Sequence, residues 1–90
     1  VETEPDSPDA RNTLGSVYLR HGDLSQAQTE FAAAIHLQPR FAWAHYNLGL
    51  VFRAEKTPSK AEEEFRRAVE DDPHLEAARE ALKSVTSEEQ

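Results

Sequence analysis

Cysteine and methionine are both absent from this 90-residue sequence, glycine occurs three times and tryptophan once. Without a thiol there is no disulfide framework, no thiolate nucleophile and no Cys-based zinc site, so redox chemistry and zinc fingers are excluded together. Gly15, Gly22 and Gly49 stand singly, and no glycine-rich loop is available to cradle a phosphate. Basic residues are scarce as well: ten Lys plus Arg face seventeen Asp plus Glu, and the net charge of -7 repels both a nucleic-acid backbone and an anionic lipid surface. A protein is the partner this balance favours. The longest uninterrupted apolar run, Phe31 to Ile35, is far shorter than the roughly 20 residues needed to cross a bilayer. No secretory apolar stretch follows the opening Val-Glu-Thr-Glu-Pro, and with Met lacking the start reads as processed or cut from something longer. The compartment stays open, with the cytoplasm favoured.

What remains is enough for one small core. Thirteen of the residues are Ala, so that core must rest on close approach of backbones more than on bulk, which suits helix against helix. The chain also repeats itself. Leu14-Gly15 returns as Leu48-Gly49, Ala27 as Ala61, Phe31 as Phe65, Ala34 as Ala68 and Pro39 as Pro73. Laying 8–41 on 42–75 without a gap gives ten identities in 34 positions, where ordinary residue frequencies give roughly two. A third, partial copy keeps Ala78, Arg79, Leu82, Ser84 and Val85 in register with Ala10, Arg11, Leu14, Ser16 and Val17.

Within each unit the apolar residues recur at steps of three and four, as in Leu14, Val17, Tyr18 and in Phe31, Ala34, Ile35, which places them on one helical face. Ser7-Pro8 is a helix start, Gly22-Asp23 a left-handed stop followed by a cap, and Thr57-Pro58 and Asp72-Pro73 are further starts. The expected helices are 8–21, 24–37, 41–55, 58–71 and 74–86. They form a single all-α domain over 8–86, with repeats 8–41 and 42–75, a capping helix 74–86, and flexible acidic or polar ends at 1–7 and 87–90. Lys56 stands where the first unit has Gly22, and since a left-handed Lys costs about 1 kcal/mol, a different turn geometry is expected there.

A 34-residue period of helix pairs, with Leu14-Gly15-Tyr18-Ala27-Phe31-Ala34-Pro39 repeated as Leu48-Gly49-Phe52-Ala61-Phe65-Ala68-Pro73, resembles the tetratricopeptide repeat family over about 8–86. The family's leading Trp is replaced by Arg11 and His45. The resemblance implies an antiparallel helix-turn-helix solenoid whose first helices line a concave groove for segments of other proteins. The groove positions it implies are Asp9, Asn12, Thr13, Ser16, Leu19 and Arg20, then Trp43, Tyr46, Asn47, Leu50 and Arg53. Some members hold a C-terminal carboxylate with a clamp of Lys, Asn and Arg. Here Asn47 matches one clamp position, but Asn12, Ser16, Ala77 and Ala81 fill the others, and no basic clamp is expected. Thr13 and Ala81 likewise break the ladder of Asn residues by which other members hold a peptide backbone.

Spacing alone sets Trp43, Tyr46, Asn47, Leu50 and Arg53 on a stripe apart from the inward His45, Leu48, Gly49, Phe52 face. A second face with aromatics is either a contact surface or is buried by neighbouring repeats. Arg20 and Arg53 could pair with a ligand carboxylate or serve as solvated helix-end cations. The expected partner-binding set is Trp43, Tyr46, Asn47, Leu50, Arg53, Asn12, Ser16 and Arg20. His21, His36, His45 and His74 never fall three or four apart, so no metal is expected; His45 reads as a partly buried, hydrogen-bonded side chain. The Ser residues lie at caps, tails and helix surfaces, and neither enzyme activity nor a cofactor is expected. The expected function is a non-catalytic protein-interaction module. The competing reading is a structural segment that self-associates as a homo-oligomer or forms part of a longer array.

Overall fold

The computed structural model describes residues 6–88, and expectations for 1–5 and 89–90 lie outside them. Five helices follow in order: α1 (Pro8–Arg20), α2 (Leu24–Leu37), α3 (Ala42–Ala54), α4 (Pro58–Asp71) and α5 (Glu76–Glu88). Helices α1 and α2 form one antiparallel hairpin and α3 and α4 a second, with α3 also packed on α2 and α5 on α4. The result is an all-α helical solenoid of two repeats closed by a fifth helix.

Helix ends show where local chemistry decides. Ser7 accepts a hydrogen bond from the Ala10 amide at 3.2 Å, and Pro8 occupies the first turn, where its missing N–H is no loss. Asp6, in the end expected to be flexible, accepts from the Arg11 guanidinium at 2.9 Å, and α5 runs on to Glu88 beyond its expected end. Asp23, expected to cap α2, makes no side-chain capping bond. Nor does Thr57 at α4; its hydroxyl donates instead to the Phe52 carbonyl at 2.9 Å. α5 starts at Glu76 rather than 74 because the Asp72 carboxylate accepts from the His74 amide at 3.1 Å, holding 72–74 as a turn.

The turn at Lys56 corrects the sequence reading. Lys56 has φ +64°, close to the +81° of Gly22, so the two hairpins turn alike. In both, a Schellman-type closure recurs: the Asp23 amide donates to the Tyr18 carbonyl at 2.9 Å, and the Thr57 amide to the Phe52 carbonyl at 2.9 Å. The Thr57 hydroxyl adds a second bond to that carbonyl, which helps to hold Lys56 in a left-handed backbone that disfavours a side chain.

The core rests on small against large. A Cβ on Gly15 would meet the Phe31 ring at 2.6 Å, and one on Gly49 would meet the Phe65 ring at 2.5 Å, so each helix pair closes on a bare backbone. Phe31, Ala27, Leu48 and Val51 make one buried cluster, while Phe65, Ala61, Ala81 and Val85 make its counterpart one repeat later. As expected of a cap, α5 buries Ala78 and Val85, with Leu75 buried just ahead of it and Leu82 half-buried, and turns Glu76, Glu80 and Lys83 to water. The opposite end is less covered. Leu14 is 39% exposed, although its repeat-mates Leu48 and Leu82 pack against preceding helices.

Candidate functional site

Turning 100° per residue, α3 carries Trp43, Tyr46, Asn47, Leu50 and Arg53 along one side. Trp43 is 48% exposed and meets Tyr46 edge-on, ring centroids 5.6 Å apart. Tyr46 in turn lies 5.9 Å from the buried Phe65 ring, and the Arg53 guanidinium sits 5.7 Å from the centre of that same ring. One row therefore runs from exposed indole to exposed cation, braced from below by a core phenylalanine. Tyr46 and Leu50 are half-buried against Ala81, Val85 and Phe65, so neighbouring elements cover part of the second apolar face.

Asn47 donates to the Asn12 side-chain oxygen at 3.0 Å, joining α1 to α3 and engaging one amide of each on the protein itself. Ser16 is half-buried, and Arg20 is exposed with no ion pair among the described residues. Leu19, one of the implied groove positions, packs instead on the Ala27, Phe31, Leu48, Val51 cluster. The structure thus gathers Trp43, Tyr46, Leu50 and Arg53 into one row and pairs Asn12 with Asn47, while Arg20 makes no ion pair with either group among the described residues. Among the described residues no cluster of His, Asp and Glu is arranged to hold a metal ion, and no helix is long and apolar enough to cross a membrane.

Beneath this face His45 is buried and hydrogen-bonded, as its place in the repeat leads one to expect, but its partners Glu64 and Pro39 were not foreseen from the sequence. His45 is 3% exposed, with Nδ1 2.8 Å from the Glu64 carboxylate, Nε2 2.9 Å from the Pro39 carbonyl, and an Asp71 oxygen at 3.8 Å. Both ring nitrogens face acceptors, which suits an imidazolium donating twice. In the first hairpin Arg11 donates to Glu30 at 2.8 Å and to Asp6 at 2.9 Å, and these two carboxylates raise its pKa further. The signal was available, because Glu30 and Glu64 are identical partners at the 34-residue spacing, as Arg11 and His45 are alternatives.

Burial is the largest single influence on His45 and lowers its pKa, but the Glu64 hydrogen bond, the Pro39 carbonyl and the charges of Glu64 and Asp71 together outweigh it. The net shift is upward from 6.5. A folded state that binds the proton more tightly than the unfolded chain gains stability below the unfolded pKa and loses it as pH rises through the folded one. The stability difference between this chain and a His45→Gln variant, from urea unfolding, should accordingly shrink from about pH 6 to about pH 9. A difference that stays constant or grows over that range would contradict the paired imidazolium.

The profile of the tetratricopeptide repeat family matches residues 12–76, well over half of the chain. The chain belongs to the tetratricopeptide repeat family. These repeats mediate contacts between proteins. It is 39% identical over 64 residues to the type IV pilus assembly protein PilF of Pseudomonas aeruginosa, a match covering 71% of this chain and 25% of that protein. The chain therefore spans only about a quarter of that relative's length. Among solved structures, MamA superimposes with a TM-score of 0.88 at 25% identity, covering 92% of this chain and 48% of MamA. The first repeat domain of Spaghetti (RPAP3), bound to the HSP90 peptide SRMEEVD, gives 0.85 at 20% identity over 90% of this chain and 64% of that one. A tetratricopeptide repeat domain protein from Salinibacter ruber gives 0.80 at 19%, over 89% and 97%. The likenesses to the Spaghetti and Salinibacter domains are in fold alone.

Proposed function

We propose that this chain is a non-catalytic interaction module that holds a segment of a partner protein against the face carried by its first helices, α1, α3 and α5. The observation behind this reading is Trp43, half in water and braced edge-on by Tyr46, whose ring is itself anchored against Phe65. An indole held rigid in this way gives up little freedom on binding and brings a large apolar area, as interface hot spots do. Leu50 extends the apolar row, Arg53 ends it with a cation, and Asn12, Asn47, Ser16 and Arg20 supply polar direction at its edge. A peptide held by the same fold in the Spaghetti domain fits this use of the scaffold.

The test is capture. With partners identified by affinity purification and mass spectrometry, Trp43→Ala should leave far-UV helicity intact and weaken capture by about 30-fold or more, the size of a hot-spot loss. Equal binding by the variant would sink the assignment. Light scattering of both chains across a concentration series addresses the competing reading, self-association, which the partly open Leu14 surface favours. A dimer that persists in the Trp43→Ala chain would move the contact to α1, whereas a monomer at high concentration leaves the α3 row free for a different protein.

A further inference from the structure

A cavity of about 330 Å³, lined by Arg53, Lys56, Pro58 and Val85, lies between the α3–α4 turn and α5. Its volume is at the small end of the range typical of ligand pockets, roughly 300–1,000 Å³. The lining divides in two. Pro58 and Val85 are apolar, while Arg53 and Lys56 are cations that form no ion pair among the described residues, in a chain whose net charge is -7.

Internal comparison sharpens the point. In the first hairpin the positions of Arg53 and Lys56 are held by Leu19 and Gly22, so neither cation is demanded by the repeat. Gly22 turns the chain at φ +81° without a side chain to strain, whereas Lys56 makes the same turn at φ +64°. Lys56 is the only non-glycine residue at positive φ among the described residues, and its side chain lines the cavity. Non-glycine residues kept in such a conformation cluster where function needs them. The Arg53 guanidinium, stacked 5.7 Å over the Phe65 ring, is partly ordered in advance, which reduces what must be immobilised when it grips an anion.

We infer that this cavity binds a carboxylate of a partner chain together with an adjacent aliphatic side chain, the carboxylate between Arg53 and Lys56 and the aliphatic group against exposed Pro58, with the buried Val85 side chain as the floor beneath it. The planar guanidinium fork matches a carboxylate. A hydrated phosphate dianion fits an apolar-walled site with two cations less well. The cavity is separate from the positions of the family's basic clamp, which Asn12, Ser16, Asn47, Ala77 and Ala81 occupy here. This inference rests on the proposed interaction role and names one chemical feature of the partner.

The ¹⁵N-labelled 90-residue chain is titrated with acetyl-Ala-Ala-Leu bearing a free carboxylate, with the same peptide amidated, with acetyl-Ala-Glu-Leu-amide and with inorganic phosphate. The free acid or the glutamyl peptide should shift the backbone amides of residues 53–57 and 84–86, and which of the two binds more tightly tells a C-terminal carboxylate from a side-chain one. The amidated Ala-Ala-Leu peptide should not shift them. Lys56→Gly should weaken the carboxylate probe about three- to fivefold, the range of one exposed charge pair, while its melting temperature holds or rises because Gly relieves the left-handed turn. Arg53→Gln should weaken it as well. Unchanged affinity in both variants, or shifts of equal size with the amidated peptide or with phosphate, would overturn the assignment. Should Trp43→Ala abolish capture while every probe leaves residues 53–57 unmoved, the α3 face stands and the cavity alone is refuted.

Discussion

Phe65→Ala is expected to cost about 3–5 kcal/mol of unfolding free energy, a large fraction of the roughly 5–15 kcal/mol typical of small domains. The ring is fully buried and fills the space opened by Gly49, packing with Ala61, Ala81 and Val85. It is touched from α3, α4 and α5 at once, so truncation leaves a cavity that no single side chain can collapse into. The same ring carries Tyr46 at 5.9 Å and Arg53 at 5.7 Å, and its removal should loosen the candidate binding row together with the core. Urea unfolding followed by circular dichroism measures the first effect, and capture of the partner measures the second. A loss below about 1 kcal/mol would mean that the second hairpin is not held by this contact.

Gly49→Ala is the complementary case, and its expected sign depends on Phe65. In the parent chain the new methyl meets ring carbons at 2.5, 2.6 and 3.0 Å, and a fully buried ring has little room to retreat. Overpacking of this kind costs about 1–3 kcal/mol, and the short distances place it at the upper end. Ala gains about 1 kcal/mol over Gly as a helix former, leaving a net loss of about 2 kcal/mol. In a Phe65→Ala background the clash is gone and the helix gain remains, so the same substitution should stabilise by about 1 kcal/mol. A double-mutant cycle in urea reads the reversal directly. Additive effects would show that Gly49 is required for some reason other than the ring.

These two residues were also the most legible in the sequence. A Gly and a Phe recurring together at a 34-residue spacing, on helices of matching period, are enough to predict that one closes on the other. The solenoid, α2 and α4 at their observed bounds, and the cap formed by α5 follow from the same periodicity. What was not legible depends on contacts between repeats or on competition among local bonds. Lys56 adopts the turn expected of Gly because Thr57 secures the Phe52 carbonyl twice, and intrinsic preference gives no sign of that help. Asp23 and Thr57 carry capping side chains that do not cap, since the preceding turns already set their backbones. The Asn12–Asn47 bond links positions 35 apart, one step off the repeat, so alignment of the units could not reveal it. The partial covering of Tyr46 and Leu50 required knowing how closely α5 approaches α3.

The two hairpins share a stitch between first and second helix but tie it with different chemistry: a guanidinium in one, an imidazole in the other. A guanidinium keeps its charge at any pH a cell experiences, so the α1–α2 seam keeps its cation as pH rises. The α3–α4 seam does not, because its cation exists only while His45 keeps the second proton. Alkalinity therefore slackens one half of the scaffold and spares the other, and the half it slackens is the one that displays Trp43.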